Sequence, residues 1–409
     1  MAKARKDNKG YALRPGETQR PDGRYCFSYT DLEKKRHYVY TKTLADLRKK
    51  ERKIIHDIEE GLDPHAAEKI TLNQMFDRYI STKCELKNST MINYCYMYNH
   101  FVRNSFGQRK LKDIRYYDVK KFYLDLIMDR GIKANTLENI HKQIYPALQL
   151  AVRDGFIRVN PAVGVYGEIK KSKLGATPKK RALTISQQKA LVEFLDDNKE
   201  FRGWYPIIIF LLGTGCRIGE TVGLRWEDID FKRKSISINH NTTYRPTGTG
   251  TQAWQITTPK TQAGNRIIPL ISAVEDALAE QFDIQMAIKI KQKEIDGYTG
   301  FIFVSDSGYP VIPQEVNRAI ARIIEEYNKK ENAEARLEKR EANLLPHFSA
   351  HNLRHTFCTR LCENESNLKV IQSIMGHADI STTMDIYAEA TEEKKQEAFV
   401  NLENKIIIR

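Results

Sequence analysis

The sequence predicts a multidomain, mainly α protein: a small N-terminal three-stranded sheet plus helix, a four-helix bundle, and a mixed α/β domain that is mostly helical with a small β-sheet. Three observations predict it. At 409 residues the chain exceeds what one ordinary compact core accommodates. From Thr71 to about Val159, apolar residues recur at three- and four-residue spacing, the period of a helix with one buried face. Short runs rich in Tyr, Phe, Val or Ile stand near the N-terminus and again between about 235 and 270.

In the first module (1–65), Gly23–Thr30 and Arg36–Thr43 alternate as strands about a charged turn, Asp31–Lys35. Tyr11–Arg14, ahead of Pro15-Gly16, is the candidate third strand. A Lys- and Arg-dense helix then runs from about Leu44 to Glu60 and stops at Gly61. Asp63-Pro64 opens a short connection to the bundle (70–165), with helices at about 71–84, 89–106, 116–129 and 135–154. Ser89-Thr90 caps the second, and the third follows Asp113. Residues 166–181 are polar, strongly basic and without core periodicity, so they read as a linker. In the last domain (182–409), Ser235–His240, Ala253–Thr258 and Arg266–Leu270 read as three short strands among helices.

A formal net charge of +14 and a pI near 9.3 point to a polyanionic partner. The longest apolar run, Trp204–Leu212, is far too short to cross a bilayer, and the charged N-terminus lacks the apolar core of a signal peptide. The 6 cysteines form no C-x-x-C pairs, which argues against a disulfide framework or a zinc ribbon and for reduced thiols in the cytoplasm.

Four separated segments carry unusual chemistry. Thr214-Gly-Cys-Arg-Ile-Gly-Glu220 places Arg217 after a helix-breaking glycine, with Glu220 three residues on to hold it. Its glycines follow a helix and have the wrong spacing for a dinucleotide loop. Thr258-Pro-Lys-Thr-Gln-Ala-Gly264 is a turn with Lys260 near its tip. His351-Asn-Leu-Arg-His355 puts His351 and Arg354 on one helical face. His347, His351 and His355 have zinc-like spacing, but Pro346 makes one continuous helix doubtful and no H-E-x-x-H glutamate is present, so no metal is expected. Finally, Gly376 ends one helix before His377, and Ser381 or Thr382 caps the next, which bears Tyr387.

Together these segments resemble the tyrosine recombinase (phage-integrase-like) family. Arg in T-G-x-R-x-x-E, Lys in a β-turn, H-x-L-R-H, G-H and a downstream Tyr match in order and spacing over roughly 182–390. The bundle resembles that family's core-site-binding domain. The first module resembles the arm-site-binding domain of conjugative-transposon integrases, a branch that Lys-Asp-Asn-Lys-Gly near the start and Pro-Lys-Thr-Gln-Ala-Gly also favour.

The resemblance implies a site-specific recombinase that breaks and rejoins DNA with Tyr387 as nucleophile, through a 3′-phosphotyrosine and a free 5′-hydroxyl. The chemistry suits the residues. Planar guanidiniums of Arg217 and Arg354 can each donate two parallel hydrogen bonds to the charged phosphoryl oxygens. A phenol of pKa about 10 must lose its proton, for which His351 is the candidate base or hydrogen-bonding partner, with His377 supporting the phosphate. Lys260 can protonate the leaving oxygen as general acid. No cofactor, Mg²⁺ or ATP is expected, since the covalent ester stores the broken bond. Implied partners are double-stranded DNA at element ends and target, a homo-oligomer (a tetramer in the synaptic complex) and an excisionase accessory protein, in a bacterial, nucleoid-associated setting. The tail after Tyr387 ends in Ile406-Ile-Ile, which leaves two places for it, a neighbouring protomer or the same chain, and the cyclic tetramers that the resemblance implies make the first a reasonable expectation. Two rivals are weighed against this reading. A type IB topoisomerase would lack use for the N-terminal module, and a silent DNA-binding regulator would need none of the reactive set.

Overall fold

A computed structural model of the chain describes residues 5–30, 34–62, 69–86, 88–176, 182–246, 252–258 and 262–388. It forms two compact units, Met1–Pro178 and Lys179–Arg409. The expected Asp63-Pro64 connection, the tip of the Asp31–Lys35 turn, Lys260 and the Ile406 tail lie outside the described residues.

In the first unit, β1 (Glu17–Gln19), β2 (Tyr25–Thr30) and β3 (Arg36–Thr41) form an antiparallel sheet in that order. The third strand is therefore Glu17–Gln19, not Tyr11–Arg14, of which Ala12 makes only an isolated bridge to Lys6. The reason is a buried carboxylate. Glu17 is wholly buried, yet it accepts from Arg48 Nε at 3.0 Å and from the Arg14 amide at 2.7 Å, so pairing offsets a burial that hydropathy disallows. Helix α1 (Leu44–Glu59) starts where the Thr43 hydroxyl accepts from the Asp46 amide, and it packs Leu47 on Tyr25 and Phe27. On alternate positions of β3, Arg36, Tyr38 and Tyr40 face outward, with the Arg20 guanidinium over Tyr40 and that of Arg36 over Tyr38.

The bundle follows, with α2 (Leu72–Ser81), α3 (Asn88–Tyr98), α4 (Tyr116–Met128) and α5 (Ala134–Arg153). Thr71 and Gln74 close a capping box on α2. Helix α3 begins ahead of the expected Ser89-Thr90 cap and runs on as a π-helical turn, Asn99–Arg103. Phe76 and Tyr98 stack at 3.6 Å in its core. The expected linker is corrected at its start: α6 (Val165–Lys171) is helical and buries Val165 and Ile169 in this same core. Two apolar residues at i, i+4 are too few to register as a period, but they suffice to dock one helical turn.

The second unit is built around α8 (Tyr205–Thr214), which follows α7 (Ile185–Asp197) and is apolar nearly all round, hence buried. After α9 (Ile218–Gly223), the expected single three-stranded segment is instead two sheets. One is β4 (Ile229–Asp230), β5 (Ser235–Ile238) and β8 (Arg266–Pro269); the other pairs β6 (Asn241–Pro246) with β7 (Gln252–Thr257). The polar Asn-Thr-Thr start of β6 hid that strand from hydropathy. Helices α10 (Ser272–Ile288), α11 (Pro313–Glu338), α12 (Ala350–Asn364), α13 (Leu368–Met375) and α14 (residues 380–388) complete the unit. Both α10 and α12 pack on α8. No described helix is long and apolar enough to cross a membrane.

Candidate active site

Arg217 occupies the turn between α8 and α9. Helix α8 ends at Gly215, whose φ of 61° and close approach to the Phe357 ring, 2.3 Å from an added Cβ, leave no room for a side chain. Glu220, one turn into α9, holds Arg217 twice. Its carboxylate accepts from the Arg217 amide at 2.9 Å and from Nη1 at 2.7 Å. The expected Arg217–Glu220 pair is thus present, and it extends further: Arg266 Nη2 donates to the same carboxylate at 2.9 Å. Burial pushes Glu220 up, but the Arg266 hydrogen bond and the charges of Arg266 and Arg217 hold it below its ordinary value.

Arg354 is buried on α12, on the helical face it shares with His351. Helix α12 begins at Ala350, so His347 lies ahead of it and the three histidines do not share one helix. Among the described residues no three His, Cys, Asp or Glu side chains are grouped to hold a metal ion. Arg354 Nη1 donates to Gly215 O and Nη2 to Met375 O, both at 2.6 Å. Burial and the Arg217 charge bring Arg354 down to about 10, so it stays charged at neutral pH.

Gly376 ends α13 in the left-handed region, φ 61°, as the sequence predicts. The three backbone oxygens around it are each taken by a different arginine. Arg266 Nε reaches Ile374 O at 2.8 Å, Arg354 reaches Met375 O, and Arg217 Nη2 reaches Gly376 O at 3.1 Å. These are the carbonyls a helix C-terminus leaves unpaired, at its negative end. His377 follows, buried, with Nδ1 3.0 Å from Thr383 Oγ1. Burial, then Arg354, Arg217, Arg266 and His351, lower its pKa to about 4, so the ring is neutral at pH 7.

The start of α14 differs from expectation. Its cap is Asp379, whose Oδ1 accepts from the Ser381 amide at 2.9 Å, while Ser381 and Thr382 sit inside the helix. Tyr387 is half-buried and packs on a cluster of Cys358, Cys362, Ile371 and Met375.

Arg217, His351, Arg354 and His377 line a single cavity of about 330 Å³. Tyr387 is not in its wall, although its neighbour Ile386 is. A larger groove of about 560 Å³ lies beside Trp254, Asp296 and Glu315, with no Lys, Arg or His among the described residues of its wall. Arg266 is the site residue that sequence reasoning missed. As one basic residue opening a short strand it carries no local signal, and only long-range pairing buries it.

Two family models match the chain: the phage integrase family over residues 181–394, and the DNA binding domain of Tn916 integrase over residues 1–58. The chain is 30% identical over 404 residues to the transposase from transposon Tn1545 of Streptococcus pneumoniae, covering 96% of this chain and 95% of that protein. Identity and coverage are the same for the transposase from transposon Tn916 of Enterococcus faecalis. Among solved structures, the Tn1549 transposon integrase in complex with transposon right end DNA matches with a TM-score of 0.70 at 29% identity, over 81% of this chain and 99% of that one. A lambda integrase dimer bound to a core site shares the fold, with a TM-score of 0.52 at 17% identity over 92% and 95% of the two chains. With the arginine-lined cavity and the Tyr387 helix in one unit, the chain belongs to the phage integrase family of tyrosine recombinases and is similar to the integrases of the conjugative transposons Tn916, Tn1545 and Tn1549.

Proposed function

We propose that the protein is the integrase of a mobile element such as a conjugative transposon, cleaving and rejoining DNA at the element's ends and at its target. The observation that carries this reading is the convergence of Arg217, His351, Arg354 and His377 on one cavity beside the Tyr387 helix. In the reaction, Tyr387 Oη attacks the phosphorus, forming a 3′-phosphotyrosine and releasing the 5′-oxygen. Arg217 and Arg354 stabilise the negative charge on the phosphoryl oxygens, each with donors fixed by its partners. His351 accepts the tyrosine proton, and neutral His377 can donate to a phosphoryl oxygen while Thr383 orients its other nitrogen. Lys260 protonates the leaving 5′-oxygen; this role rests on its place in the turn motif. The reverse sequence, with a new 5′-hydroxyl as nucleophile, rejoins the strand.

Solved complexes of the Tn1549 integrase contain transposon right end DNA and circular intermediate DNA, and the same substrate classes are proposed for this chain. The outward Arg36, Tyr38 and Tyr40 face of the first module suits DNA near the element's ends. Recombination between paired ends requires a homo-oligomer, and a tetramer with the Ile406 tail seated on the neighbouring protomer is the arrangement proposed. An excisionase-type partner and a cytoplasmic, nucleoid-associated place complete the reading.

The test is a nicked duplex carrying the element end, incubated with the protein in a metal chelator. An adduct that survives detergent, and is absent with Tyr387→Phe, is the expected result. Tight binding without any adduct would move the reading to a silent DNA-binding regulator. Relaxation of supercoils without strand exchange on a two-site plasmid would move it to a topoisomerase.

A further inference from the structure

We propose that Arg266 is a positioning residue of this reaction, fixing at once the attitude of Arg217 and the helix end that leads to His377 and Tyr387. The proposal rests on the recombinase reading above and extends it to a residue outside the reacting set.

Three facts carry it. First, the Arg266 side chain is 4% exposed, so it is not a surface cation for DNA. Second, its donors are spent on three segments that all belong to the site. Nη2 reaches Glu220 Oε2 at 2.9 Å, Nη1 reaches Gly264 O at 3.2 Å at the end of the Lys260 turn, and Nε reaches Ile374 O at 2.8 Å. Third, Gly376 leaves no space for a Cβ there, since one would meet Arg266 Nη1 at 3.0 Å and Ala263 O at 2.8 Å. The guanidinium is therefore wedged between Ala263-Gly264, the Arg217 segment and the end of α13.

Charge makes the wedge consequential. With Arg266, the Arg217–Glu220–Arg266 trio carries a net positive charge; without it, Glu220 cancels Arg217 outright. A phosphodiester gaining negative charge would then meet a neutral pair in place of a cation. Geometry acts in the same direction. A planar fork fixes three partners in set directions, which a flexible ammonium does not. An ion pair this deep adds little net stability compared with packed apolar groups, so its main effect is on placement. Among the described residues, the titratable and charged groups facing Glu220 are Arg217 and Cys216 from its own segment, Arg266 from β8 and Arg354 from α12.

The experiment measures single-turnover adduct formation on the nicked duplex at saturating protein, with duplex affinity and a pH profile, for the native chain, Arg266→Met and Arg266→Lys. Arg266→Met is expected to slow adduct formation by about a hundredfold while affinity changes by less than about threefold. Its acid limb moves to higher pH, because Glu220 loses the hydrogen bond that offsets its burial. Arg266→Lys keeps the charge but not the fork, and is expected to recover about tenfold of that loss. A merely structural rivet would lower the rate equally at every pH. A native-like rate for Arg266→Met, or an affinity loss that accounts for the whole deficit, overturns the proposal. If Arg266→Met fails to fold by its melting profile, Arg266→Lys decides: a native rate and a native pH profile overturn it. Absence of adduct with the native chain itself would reject the recombinase reading instead.

Discussion

Arg354 donates to the backbone oxygen of Met375 at 2.6 Å while its other terminal nitrogen reaches Gly215 at the same distance. One buried side chain thus ties the end of α8 to the end of α13, holding the Arg217 turn and the His377 turn at a common spacing. Arg354→Lys offers one ammonium where two oxygens need separate donors. The expected outcome is a loss of about 2–3 kcal/mol of stability, seen by calorimetry. Adduct formation should fall by at least about a hundredfold; cleavage at full rate would refute the assigned role.

Glu220→Gln removes the anion shared by Arg217 and Arg266 and leaves two cations facing each other. Breaking a buried pair from one side costs about 3–5 kcal/mol, measurable by urea unfolding at pH 7. The sign of its pH effect follows from the lowered pKa. Glu220 contributes stability that is present above its ordinary value of 4.5 and lost as pH falls through its lower folded value. The Gln variant should therefore show a shallower loss of stability below that pH, and an unchanged acid slope would count against the pairing.

His377 is held neutral, with its pKa lowered to about 4 from 6.5. A depressed histidine contributes stability that is complete above 6.5 and lost as pH falls toward 4, because the unfolded chain takes up the proton first. His141 in the bundle, lowered to about 4 by burial, acts in the same window. His377→Asn should remove part of the slope in unfolding midpoint between those pH values, and ring-nitrogen chemical shifts should show His377 uncharged at pH 6. A His377 ring found protonated at pH 6 would contradict the burial argument.

Gly376→Ala forces a side chain into a left-handed turn against Ala263 O and Arg266. Strain of about 1–3 kcal/mol is expected, read as a lower melting temperature, along with slower adduct formation. Equal stability would mean that the turn relaxes elsewhere.

The outward face of β3 makes a separable prediction. Replacing Arg36, Tyr38 and Tyr40 with Ala should weaken binding to long element ends and lower its salt dependence by about one unit of slope per lost phosphate contact. Cleavage of a short duplex holding only the cut site should be unaffected. A cleavage defect on the short duplex would place this face elsewhere in function.

The helices and the arginine–histidine constellation were legible because both are local or are fixed by motif spacing. Apolar periodicity marked α2 to α5, and Gly376 announced its own turn. What stayed hidden depends on partners far away in the sequence. Glu17 lies in a strand because Arg48 neutralises it, and β6 pairs through a polar Asn-Thr-Thr run that no hydropathy scale favours. Helix α6 needs only Val165 and Ile169 to dock. Arg266 looks like any surface cation until Glu220 and Ile374 close around it.

The three arginines seated on three consecutive carbonyls also bear on communication. A phosphate that recruits donors from Arg217 or Arg354 competes with the oxygens of Gly376 or Met375 for them. Competition of this kind is reciprocal. Whatever loosens the end of α13 makes those donors more available, and whatever occupies the donors loosens the end of α13. In the reaction proposed, substrate occupancy and the end of α13 would thereby be coupled thermodynamically, with backbone oxygens as the exchange point and no separate messenger required.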